Sequence, residues 1–141
     1  MDLSRFIAAQ ESIYEDALAE LRAGRKHTHW IWFVLPQLRG LGHSSNATFY
    51  GIENVAEAAA YLAHPVLGAR LRECVAVILA HKEKTAGEIL GSPDDLKFRS
   101  CLTLFREVAP PDDRLWQDAL EQFFGGQPDD ATLRHPSLHR T

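Results

Sequence analysis

Cysteine is scarce in this sequence, and no metal-binding spacing is present. The chain of 141 residues has two cysteines, Cys74 and Cys101, and each lies within an apolar pattern of helical spacing. Neither belongs to a zinc motif. The seven histidines show no ligand spacing either, because His27 and His29 would diverge on a helix. We therefore expect two buried, reduced thiols, and neither a metal ion nor another cofactor.

Long apolar runs are also missing. No run approaches the roughly 20 residues that a membrane-spanning helix needs. The N-terminus, MDLSRFIAAQ, lacks the apolar centre of a signal peptide, so we expect a cytoplasmic protein without a membrane partner. The chain has 15 Lys and Arg against 19 Asp and Glu, and its net charge of −4 disfavours nucleic acid as a partner. A local basic patch is compatible with this charge.

Apolar periodicity predicts the fold class. Hydrophobic residues make up 45% of the chain and charged residues 24%, which is typical of one globular domain. We predict an all-α fold, a compact single domain of five to seven helices over residues 1–126, without a sheet. Residues 127–141 are polar and interrupted by proline, so we predict a tail that packs on the surface or is partly disordered. The residues predicted to share one core are Trp116, Phe123, Leu104 or Phe105, and Leu71.

Capping residues predict where several helices begin and end. Asp2 would begin a first helix that ends at Gly24. Proline at the first position and paired acids predict another start at residues 92–95. Further boundaries are predicted by the capping-box pair Asn54 and Glu57, by His64 before Pro65, by Thr85 and Glu88 before Gly91, and by Gly125 and Gly126.

The segment HTHWIWFVLPQLRGLGHSSN, residues 27–46, is the first candidate site. Trp30 and Trp32 point about 160° to 200° apart on a helix, so they cannot fill the same core space. If one of them faces a cleft, its indole can stack on a base or a nicotinamide ring. The plainer interpretation places both in the core. The ligand-binding candidates here are Lys26, His29, Trp30, Trp32, Gln37, Gly40 and Gly42, the glycines because exposed backbone amides can hold an anion.

The stretch DDLKFRSCLTLF, residues 94–105, is the second candidate site. Lys97, Ser100 and Thr103 recur at every third position, and apolar residues take the opposite side of the predicted helix. A lysine and two hydroxyls suit a phosphate or a ribose, whereas the alternative is an ordinary solvated face. Lys97 and Ser100 are therefore ligand-binding candidates. A Ser100–Lys97 nucleophile pair is disfavoured, because nothing supplies its oxyanion donors or an orienting base.

Five stretches of the chain resemble, in order, the blocks of one bacterial family. They are RFIAAQ, GRKHTHWIWFVLPQLRGLGHSS, EAAAYLAHPVLGARL, DDLKFRSCLTLF and FFGGQPDDATL, which together span nearly the whole chain. They resemble the domain-of-unknown-function family numbered 1810, which implies a compact multihelical fold and no established activity. That family is distantly similar to the NADAR N-glycosidase domains through HPVLGARL and KFRSCL. This second resemblance implies action on ribosylated or ADP-ribose-type compounds.

Three functions of different classes remain open. The first is a nucleotide-related enzyme such as an N-glycosidase, which needs a carboxylate to position water or stabilise an oxocarbenium ion. The second is a non-catalytic module that binds a nucleotide or another small phosphorylated ligand with the same residues. The third is a helical protein-interaction domain that docks a partner through the aromatic segment. The catalytic candidates are Glu57, Asp94, Asp95 and His29, and no local spacing places them together. The sequence predicts no oligomeric state.

Overall fold

The computed structural model of the protein describes residues 1–139. Those residues form ten α-helices and one short 3-10 helix, and none of them forms a strand. The all-α fold is confirmed for this range, whereas the prediction of five to seven helices is wrong. Residues 140 and 141 of the predicted tail lie outside the described residues. In chain order the α-helices α1 to α10 are Ser4–Glu11, Tyr14–Arg22, Ile31–Val34, Ser45–Tyr50, Val55–Ala63, Leu67–Leu79, Ala86–Leu90, Asp94–Val108, Leu115–Phe124 and Asp130–Arg134, and the 3-10 helix is Pro136–His139.

The additional helices are short elements that periodicity does not reveal. The predicted first helix is interrupted at Ser12 and Ile13, so α1 and α2 replace one long helix. Helices α3, α4 and α10 have only 4, 6 and 5 residues. Helices this short depend on tertiary packing, because nucleating a helix is unfavourable and only a few residues add the hydrogen bonds that offset this cost. Periodicity therefore underestimates their number.

Predicted capping interactions form at three helix starts. At α5 the amide of Glu57 donates to Asn54 Oδ1 at 2.9 Å, although the Glu57 carboxylate accepts from the amide of Glu53 and so does not complete a capping box. The amide of Glu88 donates to the Thr85 hydroxyl, and the amide of Thr85 donates to the Glu88 carboxylate, which completes a capping box at α7. At α6 the His64 imidazole accepts hydrogen bonds from the amides of Val66 and Leu67. His64 is therefore a helix cap, which is the structural role that its position before a proline suggests.

Helix α8 is central to the fold, since it packs against α5, α7, α9 and α10. Its buried stripe follows the spacing i, i+3, i+4 and i+7; the members are Phe98, Cys101, Leu102 and Phe105. The predicted shared core is confirmed, with Phe123 half-buried at its edge and the other members fully buried, namely Trp116, Leu104, Phe105 and Leu71.

The segment from Gln127 to His139 packs onto the domain. Helix α10 lies against α8, and the 3-10 helix lies against α5. Thr132 and Leu138 of this segment are buried. The amide of Asp129 donates to the Thr103 hydroxyl at 2.9 Å. This segment therefore covers part of the polar side of α8.

One isolated bridge shapes the loop after α3. Leu38 pairs with Ile52 in a parallel bridge, without a strand on either side. The amide of Ile52 donates to the Gln37 carbonyl at 2.9 Å, and the amide of Arg39 donates to the Ile52 carbonyl at 2.8 Å. These two bonds fix the course of residues 37–39. None of the helices in residues 1–139 combines the length and the apolar composition that crossing a membrane requires.

Candidate ligand-binding site

An open cavity of about 290 Å³ lies where three parts of the chain meet. The loop after α3, the first turns of α8 and the start of α10 form its walls. The cavity is lined by Gln37, Leu41, Gly42, Pro93, Leu96, Lys97, Ser100, Asp129 and Ala131. Four of these residues, Gln37, Gly42, Lys97 and Ser100, are candidates from the two separate stretches identified in the sequence. The fold therefore brings the two candidate stretches together here.

Two larger depressions lie around residues 80–91, and the second of them also includes Arg25 and the candidate Lys26. Their volumes are about 630 and 530 Å³. Both are bordered by the exposed charged side chains of Lys84 and Glu88. Ligand sites usually combine an apolar lining with a few convergent polar groups, so the smaller cavity beside Lys97 is the better candidate.

Lys97 supplies the positive charge at this cavity. Its ammonium lies 5.2 Å from the centre of the Trp32 ring, which is within the range of a cation–π contact. Its carboxylate partner, Asp94 Oδ1, is 3.7 Å away, which is longer than a hydrogen bond. The Lys97 side chain is 24% exposed. Its charge is thus accessible and only partly neutralised.

Asp94 connects Lys97 to a second lysine. The Lys26 ammonium lies 2.8 Å from Asp94 Oδ2, and its side chain is only 7% exposed. The same ammonium lies 5.1 Å from the centre of the Trp30 ring. Each lysine therefore faces one tryptophan, and the two lysines share one carboxylate. Two cations and one anion leave this group with an excess of positive charge.

The two tryptophans have different environments. Trp30 is fully buried, and its indole Nε1 donates to Glu20 at 3.0 Å. Trp32 is half-buried, and its Nε1 is a buried atom without a hydrogen-bond acceptor among residues 1–139. Trp30 is therefore the core tryptophan, whereas Trp32 borders the cavity cation.

Glu20 organises the start of the aromatic segment, and sequence reasoning missed it. Its carboxylate accepts hydrogen bonds from the amides of His27 and Thr28, from the Thr28 hydroxyl and from Trp30 Nε1. Partial burial raises the pKa of Glu20, but these hydrogen bonds outweigh burial and lower the pKa to about 2. The four donors lie 7 to 10 residues further along the chain, so no local motif predicts the contact.

The glycines of the loop allow close packing. Gly40 has φ +99°, a conformation that favours glycine, and a Cβ there would lie 2.9 Å from His135 Nε2. A Cβ on Gly42 would lie 2.8 Å from the Ala47 Cβ and 3.4 Å from Gln37 Nε2. Gly42 lines the cavity, whereas the packing of Gly40 is against the C-terminal segment.

The polar stripe of α8 is not an ordinary solvated face, and that interpretation is wrong. Ser100 and Thr103 are buried. The Ser100 hydroxyl donates to the Leu96 carbonyl at 3.2 Å and lines the cavity, whereas Thr103 is covered by the C-terminal segment. Asp129, a cavity residue that the sequence did not single out, accepts two hydrogen bonds from Thr132 through Oδ2. The place of Asp129 in the cavity wall depends on the hydrogen bond from its amide to Thr103, which lies 26 positions away in the chain. No local pattern predicts a contact at that separation.

The catalytic candidates do not converge on the cavity. Glu57 is ion-paired with Arg5 at 2.7 Å. Asp94 is engaged by two lysines, and Asp95 accepts a hydrogen bond from the amide of the next residue. His29 is exposed. Within the described range, no group of three or more histidine, cysteine, aspartate or glutamate residues could hold a metal ion.

Comparison with known proteins supports the fold but supplies no activity. A family model described as "Protein of unknown function (DUF1810)" matches residues 1–135. The chain is also similar to the conserved hypothetical protein Rv1873 from Mycobacterium tuberculosis, known from a crystal structure at 1.38 Å. The two are 44% identical, with a TM-score of 0.93, and the match covers 99% of this chain and 98% of that one. No curated protein matches the chain significantly.

Proposed function

This chain belongs to the DUF1810 family of proteins of unknown function, and we propose that it binds a small phosphate-bearing ligand of nucleotide type in the cavity beside Lys97. The observation that carries this proposal is the accessible ammonium of Lys97, whose nearest carboxylate lies 3.7 Å away. Gln37 lines the same cavity and offers an amide donor. A phosphate supplies anionic acceptor oxygens for the Lys97 ammonium and for this amide.

The arrangement favours binding over catalysis. A hydrolase of this class needs a carboxylate at the reacting bond. Of the catalytic candidates from the sequence, Glu57 and Asp94 are ion-paired at 2.7 to 2.8 Å, and neither lines the cavity. Asp129 does line it, but its Oδ2 is already engaged by Thr132. A protein-interaction role for the aromatic segment is less favoured, because Trp30 is fully buried and Trp32 is half-buried beside the Lys97 ammonium.

Calorimetric titration of the wild-type protein with AMP and with ADP-ribose tests the proposal. Lys97→Ala should weaken binding about tenfold or more, because it removes a charge-assisted contact. Lys82→Ala is the matched control, since the Lys82 ammonium is exposed and donates only to Gln122. The control should bind as the wild type does. If neither compound binds, or if Lys97→Ala binds as tightly as the wild type, the proposal is wrong.

Hydrolysis of an N-glycosidic bond is the second candidate function. It is favoured by Asp129, a carboxylate that lines the cavity and has only Oδ2 engaged by the helix cap. The resemblance to NADAR domains points to the same chemistry. Incubation with NAD⁺ should then release the free base, and Asp129→Asn should abolish release while keeping the cap, because asparagine caps helices equally well. Release that persists in Asp129→Asn would contradict a role for this carboxylate.

A further inference from the structure

The size of the cavity limits what it can enclose. Pockets that bury drug-sized ligands usually measure about 300 to 1,000 Å³. The cavity beside Lys97 measures about 290 Å³ and is open to solvent. It therefore suits a ligand of one or two rings, and a dinucleotide would extend beyond it.

The charges at the cavity limit the ligand further. Lys97 is the one cation among the described residues that line it. Lys26 is held by Asp94 at 2.8 Å and is almost fully buried, so its charge is already neutralised. Asp129 adds a carboxylate to the cavity wall. Lys97 attracts the first anionic group of a ligand. A second anionic group of the same ligand would find no further cation and would be repelled by the Asp129 carboxylate.

The remaining wall is apolar. Leu41 is half-buried, and Pro93 and Ala131 face the same space. Leu96 lies beside Lys97 on α8, and 55% of its surface is exposed, although large apolar side chains are more often covered. An apolar side chain next to an accessible ammonium matches a ligand that has a ring and an anionic group close together.

We propose that the ligand carries a single phosphate group on a ring compound no larger than a mononucleotide, with the phosphate at Lys97 and the ring against Leu41 and Leu96. This inference rests on the proposed function and narrows it. In this arrangement the binding free energy has two contributions that mutation can separate. One part is the charge of Lys97, and the other is the apolar surface of Leu96.

Three probes of graded size separate these parts, namely inorganic phosphate, AMP and ADP-ribose. AMP should bind about tenfold more tightly than inorganic phosphate, because its rings bury apolar surface. ADP-ribose should bind no more tightly than AMP, since its second phosphate finds no free cation. Leu96→Gln should remove most of the advantage of AMP and leave the affinity for inorganic phosphate unchanged. Glutamine favours helices, so this exposed substitution leaves the fold intact.

The matched control is Val66→Gln, which replaces another exposed apolar residue that does not line the cavity. It should leave all three affinities unchanged. Equal affinities for AMP and inorganic phosphate, both weakened by Lys97→Ala, would overturn this inference and leave the proposed function standing. Tenfold tighter binding of ADP-ribose than of AMP would also overturn this inference and leave the proposed function standing. Absence of any Lys97-dependent binding would overturn both proposals.

Discussion

The ammonium of Lys97 lies 5.2 Å from the centre of the Trp32 ring, so a charged group of α8 contacts an aromatic group of α3. An ammonium has three N–H donors, and a cation–π contact does not occupy all of them. An anionic ligand can therefore bind Lys97 without displacing it from the indole. Binding should then change the fluorescence of Trp32 more than that of the buried Trp30.

Replacement of each tryptophan by phenylalanine should have different effects on stability. Trp30→Phe removes a hydrogen bond to a carboxylate and leaves space in the core, so it should cost about 1.5 to 3 kcal/mol. Trp32→Phe removes a buried N–H that has no acceptor in residues 1–139, and this gain offsets the smaller ring. We expect a change within about 1 kcal/mol. Urea denaturation measures both, and equal losses would contradict the distinction.

The lowered pKa of Glu20 should make the free energy of unfolding depend on pH between about 4.5 and about 2. Its pKa in the folded protein is about 2, below the ordinary value of 4.5. A lowered carboxyl pKa stabilises the fold above the unfolded value, and this contribution is lost as pH falls from about 4.5 to about 2. Glu20→Gln should weaken that part of the pH dependence. Thermal unfolding between pH 2 and 6 measures it.

The control for this measurement is Glu11→Gln, which changes an exposed glutamate at the end of α1. It should retain the pH dependence of the wild type. An unchanged profile in Glu20→Gln would show that the hydrogen bonds of this carboxylate do not stabilise the fold in the expected way.

The predictable part of the fold is the part governed by local interactions. The capping box at Thr85 and Glu88 and the cap at His64 involve residues two or three positions apart, so the sequence reveals them. Helices α3 and α4 lack a sustained amphipathic pattern, because each is shorter than two full turns. Their formation depends on neighbours that the sequence does not place. The same reason explains why the C-terminal segment resembles a polar tail in the sequence.

The candidate site was predictable in part for a similar reason. Residue types concentrated in one segment mark Trp32 and Gln37 as candidates, and the every-third-position spacing with Ser100 and Thr103 marks Lys97, although their role in binding stays a prediction. Glu20 and Asp129 carry no such mark, because glutamate and aspartate are common on helix surfaces and at helix starts. Their significance comes from contacts formed only in the folded chain, such as the bond from Trp30 Nε1 to Glu20.

The two cysteines should be unreactive in the native protein. Burial raises the pKa of Cys74 to about 12 and holds the pKa of Cys101 well above its usual range, so neither forms a thiolate near neutral pH. Iodoacetamide should therefore modify both thiols only after unfolding, as mass spectrometry can measure. A Cys74→Ala, Cys101→Ala double variant should lose stability but keep the affinity for AMP. Rapid labelling of the native protein would contradict this prediction.

Glu57 should prove to be a structural residue, although its carboxylate is a catalytic candidate in the sequence. Its ion pair with Arg5 measures 2.7 Å, and the side chains of Arg5 and Glu57 are 16% and 6% exposed. Arg5 also donates to the carbonyls of Phe49 and Gly51, so it connects α1 to the end of α4. Removing one partner of a buried pair leaves the other without compensation, which typically costs about 3 to 5 kcal/mol.

A double-mutant cycle tests this role. Arg5→Ala and Glu57→Ala should each destabilise the protein strongly, and the double variant should lose less than the sum of the two, because no unpaired charge remains. Where the single variants do not fold, Arg5→Lys and Glu57→Gln form a milder cycle, and its coupling energy should have the same sign. Glu57→Gln should bind AMP as the wild type does at a temperature where both are folded. Additive losses would contradict the coupling, and a selective loss of AMP affinity would return Glu57 to the candidate site.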